Sequence, residues 1–455
     1  MKKTNLFLTC ALASCVLVTS CKEDVEETYV DESGQVKETS PGKVSNPETF
    51  STFTPEENKA QLEDDGLELL SNMEDLSKSP AIEATASFVG LLDRSSAAPA
   101  NGRLAVTSRT LQAVGSSQAS ARDIFVAMRT AAEPGSESEA SQSIQDFYDQ
   151  YTGVWSWNAS TQMWDHQAGG STIVFEFPAT EAGTQNNAKY TIHSYEGLSQ
   201  DHPYTGYEGD LPTKIVAELT VDGVQQSAYS FEAAYNQKGE PEQLVTSLSV
   251  NTFVFSIAAT NTSTEAGIQY ALKRDNKTLL AMGSGVYGNF SADHLSSLDD
   301  NSHQGDVVNR VDAYFQLMNV VVAGDMDIKK YLDGYEDNYT FTGETYYDDN
   351  ITENNAELLE EAFNLNVFYA DGSGKIADTE VYTSTNTYTD YEWYYDETTE
   401  NYQWKEEEVE YKVMNVRMVF EDDSRTDFET YFSEGFDDLI AEFHKFAEES
   451  ELDID

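Results

Sequence analysis

The chain has 455 residues and sets 81 aspartates and glutamates against 27 lysines and arginines, a net charge of −54. A surface so negative repels phosphate backbones, which excludes nucleic acid as a partner, and 39% hydrophobic with 12% aromatic residues excludes a wholly disordered chain. All three cysteines, Cys10, Cys15 and Cys21, fall in the first 21 residues, so the rest of the chain has no disulfide pair, cysteine nucleophile or cysteine metal ligand.

The first element in chain order is a leader. Lys2 and Lys3 precede an apolar run from Leu6 to Val18, and small residues follow it up to Cys21. That is the layout of a secretory signal peptide, and the run is short of the roughly 20 apolar residues that span a bilayer. Val18-Thr19-Ser20-Cys21 resembles a bacterial lipobox, which implies cleavage after residue 20 and lipidation of Cys21. Leu12-Ala13-Ser14-Cys15 fits the same pattern, but a cut there would leave Val16-Leu17-Val18 exposed behind the anchor, so Cys21 is the expected site. Lys22-Glu23-Asp24 resembles the export signal of Bacteroidota surface lipoproteins. The resemblance implies a body held on the outer face of the outer membrane, a periplasm-facing lipoprotein being the alternative. Each buried acyl methylene contributes about 0.8 kcal/mol, so several chains would hold the body without a transmembrane helix.

Residues 21–52 read as an acidic, Ser/Thr-rich tether broken by Pro41-Gly42 and Pro47. A helical region is expected over 53–145. Thr54-Pro55-Glu56-Glu57 is a capping box with proline in the first turn, and Leu62, Leu69, Leu70, Met73 and Leu76 follow at helical spacing. Ser79-Pro80 opens a second helix, which predicts a helical hairpin. Beyond it lies a Ser/Ala-rich loop with a short helix near Ala121 to Thr130. Arg94, Arg103, Arg109, Arg122 and Arg129 gather here, five of the chain's nine arginines. They suit either docking of an anion or partner protein, or plain compensation of the acidic body, and the second is favoured because charge runs are usually solvated faces.

From Gly153 the apolar period switches to two, and a β domain is expected over 146–290. Its strands run from Val154-Trp155-Ser156-Trp157 through Ile173–Phe177, Lys189–Ile192 and Ile215–Val221 to Thr278–Met282. Asp222-Gly223 is a two-residue hairpin signal. Such a series predicts an antiparallel meander, as a curved sheet, a sandwich or an open barrel. Residues 291–455 read as α+β: Val311 to Val322 as strand or helix, Asn350 to Phe363 as helix, and Asp371-Gly372-Ser373-Gly374 as a hairpin turn. Two strands follow, and then an amphipathic helix from Ser433 to Glu448 whose apolar face should dock on a sheet. The fold class is therefore α+β, mostly antiparallel β. The segments GVWSWNASTQMW (153–164) and PTKIVAELTVDG (212–223) loosely resemble uncharacterised Bacteroidota lipoproteins, a likeness that implies class and no activity.

Motifs of catalysis are missing. There is no Gly-x-Ser-x-Gly, no His-Glu-x-x-His, and the six histidines are scattered. Gly283-Ser284-Gly285-Val286-Tyr287-Gly288 matches a dinucleotide fingerprint, but no apolar helix follows it, so it reads as a strand or turn. No cofactor is expected apart from calcium, for which the oxygen-rich residues Asp299, Asp300, Asn301 and Asp306 are weak candidate ligands. The most distinctive stretch is 390–410, where Tyr391, Trp393, Tyr394, Tyr395, Tyr402 and Trp404 alternate with acids. Tyr391, Trp393, Tyr395, Tyr402 and Trp404 are the candidate ligand-binding residues, since rings stack on sugar faces while carboxylates accept hydroxyl hydrogen bonds. The competing reading is cross-strand aromatic pairing, and for Trp155, Trp157 and Trp164 it is core packing. Three functions follow: a non-catalytic surface lipoprotein binding a glycan or envelope ligand, a lipid or lipoprotein carrier with an apolar cavity, and a glycan-acting hydrolase. A binder requires the 390–410 rings exposed and coplanar, a carrier a large apolar pocket under the sheet of 153–282, and a hydrolase a carboxylate pair.

Overall fold

The computed structural model describes residues 27–30, 36–40, 47–94, 143–198, 210–236, 241–298, 304–338, 349–396, 398, 401–433 and 435–449. Within the tether stretch, β1 (Glu27–Val30) and β2 (Val36–Ser40) pair as a small hairpin of their own. The chain then enters the body at Phe50, which bridges in parallel to Lys375. There the Ser51 N–H donates to the Lys375 carbonyl at 2.8 Å and the Lys375 N–H donates to the Thr49 carbonyl at 2.8 Å.

Helix α1 (Pro55–Ser77) begins where the capping box places it. The Glu57 N–H donates to Thr54 Oγ1 at 3.3 Å and the Thr54 N–H donates to Glu57 Oε2 at 2.8 Å. Helix α2 (Pro80–Arg94) follows, with Ser79 Oγ accepting from the Ala81 N–H at 3.2 Å. Helix α3 (Ile144–Tyr151) leads into the sheet.

One sheet carries sixteen strands. They are β3 (Gly153–Asn158), β4 (Met163–Ala168), β5 (Ile173–Phe177), β6 (Ala188–Leu198), β7 (Leu211–Val221), β8 (Val224–Tyr235), β9 (Pro241–Val250) and β10 (Phe253–Asn261). After them come β11 (Glu265–Arg274), β12 (Lys277–Gly288), β13 (Val308–Leu317), β14 (Val320–Asp327), β15 (Phe363–Tyr369), β16 (Lys375–Asp396), β17 (Asn401–Val419) and β18 (Arg425–Asp427). From β5 to β18 every strand pairs antiparallel with its chain neighbour, and only β3 breaks the order, lying between β4 and β5 and parallel to β5. The architecture is α+β with an antiparallel meander as its body. The boundary read near residue 290 falls between β12 and β13, which are hydrogen-bonded neighbours.

Turn chemistry sets the meander. Asp222 (φ 51) and Gly223 (φ 79) both take the left-handed backbone that a two-residue hairpin needs. Met318 at φ 50 separates β13 from β14, which resolves Val311–Val322 as two strands. The glycines of 283–288 lie in strand β12, and the Tyr314 ring sits directly over Gly283, where a Cβ would come within 2.5 Å of it.

Two cores form. In the first, Phe88 of α2 sits among Phe177, Phe175, Tyr190 and Trp164 at ring distances of 4.8, 5.3, 5.2 and 6.2 Å. Trp155, Trp157 and Trp164 are all buried there, so their packing role prevails over ligand binding. The second core gathers Val320, Val367, Tyr369, Ile376, Met418 and Phe420 under Leu62 of α1, with Tyr431 of α8 (Phe428–Ser433) and Phe436.

Helix α1 crosses the hairpin ends between these cores. Asn58, Asp65, Asn72 and Ser79 recur every seven residues and are all buried. Ser79 Oγ accepts from Asn251 Nδ2 at 2.9 Å and Asn72 Oδ1 accepts from Arg274 Nη1 at 2.8 Å. Asp65 Oδ2 accepts from the Asn319 N–H at 3.3 Å, and Asn58 Oδ1 accepts from Tyr369 Oη at 2.7 Å. Each partner lies two strands further along the meander. Seven residues rise about 10.5 Å along a helix, close to the roughly 9.6 Å spanned by two strand spacings, so one polar side chain meets each hairpin.

The C-terminal helix corrects an expectation. Helix α9 (Asp437–Glu449) packs on α1 and not on the sheet: Leu439 lies against Gly66, and Glu63 Oε1 accepts from the Asp438 and Leu439 N–H groups at 3.1 and 3.3 Å. Without a Cβ at residue 66 the two helices approach closely.

Candidate functional site

Strands β16 and β17 are far longer than their neighbours. Strand β15 pairs with β16 only over Lys375, Ala377 and Asp378, and β18 pairs with β17 only over Arg417–Val419. The β16–β17 ladder, by contrast, runs unbroken from Asp378↔Val419 to Asp396↔Asn401. Beyond Glu380 the two strands stand as a ribbon with no further strand beside them among the described residues. From Thr385 to Asp396 that is about 40 Å of chain at 3.4 Å per residue.

The base of the ribbon is fixed by charge and by a helix. Glu380 Oε2 accepts from Arg417 Nε and Arg425 Nε, both at 2.9 Å, and these bonds hold its carboxyl below the usual carboxylate range. The Arg417 guanidinium lies 4.2 Å over the Tyr382 ring, and Tyr382 Oη donates to Asp427 Oδ1 at 2.6 Å. Helix α7 (Asp349–Ala362) flanks the base: Glu360 Oε2 accepts from the Val381 N–H at 2.6 Å, and Glu353 binds Lys412. None of this buttress was read from the sequence, because its partners are far apart in the chain.

At the tip the register brings rings together. Trp393 faces Trp404 and Tyr395 faces Tyr402 across the ladder, and the two-residue pleat keeps Tyr391 on the same face. Ring centroids are 4.0 Å apart for Trp393–Trp404, 5.2 Å for Tyr395–Tyr402, 6.3 Å for Trp393–Tyr402 and 6.4 Å for Tyr391–Trp404. The five residues are half or more exposed: Tyr391 56%, Trp393 53%, Tyr395 50%, Tyr402 67% and Trp404 54%. They are both a cross-strand cluster and a surface. The requirement of coplanar rings is not met, since the interplanar angles of these pairs run from 42° to 90°. Three of the pairs meet edge to face, which satisfies the ring quadrupoles, and Trp393–Trp404 is tilted, so the face is ridged, not flat. Tyr394 lies on the opposite face, across from Gln403.

The other candidates fall elsewhere. Cys21, Arg103, Arg109, Arg122, Arg129, Asp299, Asp300 and Asn301 lie outside the described residues. Arg94 is the last residue of α2. Asp306, in the short helix α5 (Gln304–Val307), has its carbonyl 2.9 Å from Nε2 of His294 in the preceding α4 (Ala292–Leu295), and α6 (Ile328–Asn338) follows β14. Among the described residues no group of three or more His, Cys, Asp or Glu side chains is placed to hold a metal ion, and no helix is long and apolar enough to cross a membrane. Two open clefts flank α1, one of about 730 Å³ beside Asp65, Lys277 and Tyr369, the other of about 330 Å³ between Phe53 and Phe420. No protein-family model, curated protein or solved structure matches the chain.

Proposed function

We propose that the protein is a non-catalytic lipoprotein, anchored through Cys21 in the outer membrane and displayed at the cell surface, which binds a glycan or other envelope ligand with the tip of the β16–β17 ribbon. The observation that carries this reading is the set of five exposed rings on one face of an arm that no other strand covers among the described residues. Exposed aromatic surface costs solvation, and contiguous apolar patches on soluble proteins mark interaction sites. Tyrosine and tryptophan are amphipathic, so they meet a sugar's apolar face while remaining tolerable in water. The ridged arrangement suits a ligand with alternating projections, such as a chain of pyranose rings, better than a flat planar one. The leader, the lipobox and Lys22-Glu23-Asp24 support the address. The clefts beside α1 are open and partly polar, so a lipid-carrying cavity gains no support from them.

A polysaccharide array probed with the protein, in calcium and again in chelator, tests the reading. Retention on at least one glycan, lost in Trp393→Ala, is expected. Retention lost to chelator would bring a calcium ion into the site, whereas silence across the array in both conditions would overturn glycan binding.

A further inference from the structure

We infer that the glycan taken by the ribbon tip is positively charged, a polysaccharide bearing protonated amino groups. The inference rests on the tip being the binding surface and adds the chemistry of its occupant. Pleating places Glu406, Glu408 and Glu410 on the face that carries Trp404, where they are exposed. Across the ladder they meet Tyr391, Thr389 and Thr387, none of which can carry positive charge. The next residue of β17 on that face is Lys412, which is bound to Glu353 of α7. Lys405 lies on the other face and donates to Glu407 Oε2 at 2.6 Å. Among the described residues, therefore, no lysine or arginine pairs with the three carboxylates, and the one lysine that shares their face is held by Glu353.

Their spacing is about 7 Å from one to the next along the strand. Like charges in a row along one strand repel one another, and the fold gains nothing visible from them. A neutral sugar would use the rings and could donate hydroxyl hydrogen bonds to the carboxylates, but it would leave their charge uncompensated. An anionic glycan would be repelled by it. An amino sugar uses both: its ring faces stack on tyrosine and tryptophan, its ammonium groups pair with Glu406, Glu408 and Glu410, and a cation over an aromatic face is itself attracted.

The probes are immobilised polyglucosamine with free amines and the same polymer fully N-acetylated. The protein, the variant Glu406→Gln/Glu408→Gln/Glu410→Gln and Trp404→Ala are compared on each at low and high salt. The glutamine variant keeps shape and hydrogen-bonding capacity on an exposed face, so it retains the fold, which circular dichroism verifies. The protein should prefer the free-amine polymer by about tenfold or more, and the glutamine variant should lose that preference while still binding the N-acetylated polymer. Equal retention on both polymers would overturn the inference and leave the tip's glycan binding intact. So would a glutamine variant that holds the free-amine polymer undiminished, since the acidic body as a whole would then be the attractant. No retention on either polymer, with Trp404→Ala indistinguishable from the parent, would overturn the inference and count against the tip as well.

Discussion

The carboxylate of Asp65 accepts the backbone N–H of Asn319 at 3.3 Å, tying the middle of α1 to the turn between β13 and β14. Burial raises the Asp65 carboxyl above its ordinary 3.8, more than this hydrogen bond, Lys277 and Gln61 lower it. The folded protein thus holds the Asp65 proton to higher pH than the unfolded chain does. The stability it contributes is fully present below pH 3.8 and is lost as pH rises through the folded-state value. At neutral pH the ionised carboxylate weighs against folding. Asp65→Asn keeps an oxygen for the Asn319 N–H and removes the charge. Urea unfolding midpoints should show the variant at least as stable as the parent at pH 7, with the difference shrinking toward pH 3.8. A variant clearly less stable at pH 7 would contradict this account of the buried charge.

A second prediction concerns the entry of the chain. Gly374 has φ +127, and a Cβ there would lie within 2.9 Å of the Phe50 carbonyl and the Ser51 nitrogen. Gly374→Ala should therefore cost about 2 kcal/mol or more through strain and clash and loosen the Phe50–Lys375 bridge. Gly372 has φ +81 with nothing near its Cβ position, so Gly372→Ala should cost only about 1 kcal/mol. Limited proteolysis near Phe50 and thermal unfolding separate the two.

Aromatic residues with different duties should respond differently. Phe88, 3% exposed among four rings, should cost about 3–5 kcal/mol when changed to alanine. Trp393→Ala should cost roughly 0.2–1 kcal/mol, the worth of a cross-strand pair. Equal losses in denaturant titrations would mean that the tip is structural.

The contrast shows what the sequence could carry. Thr54, Pro55 and Glu57 act on their own backbone, so the start of α1 was legible to the residue, as was the Asp222-Gly223 turn. Amphipathic spacing says that a helix face is buried and not against what, hence α9 was expected on a sheet when Gly66 and Leu439 pair it with α1. The seven-residue recurrence of Asn58, Asp65, Asn72 and Ser79 lies in the sequence, but polar residues at helical spacing ordinarily mark a solvated face, and only the sheet shows them buried. The rings of 390–410 are close in the sequence, and the β16–β17 register brings them together in space. Their exposure was not legible, because a strand pattern looks alike whether a neighbour flanks it or solvent does.

The claim that the ribbon tip binds glycan is tested most directly by titrating a polysaccharide retained in the array against the protein and against Trp393→Ala/Trp404→Ala, with unfolding midpoints measured alongside. The double variant should bind at least about thirtyfold more weakly, as for the loss of two central aromatic contacts, with folding largely kept. Affinity unchanged within about twofold in a folded variant would place the binding surface elsewhere on the molecule.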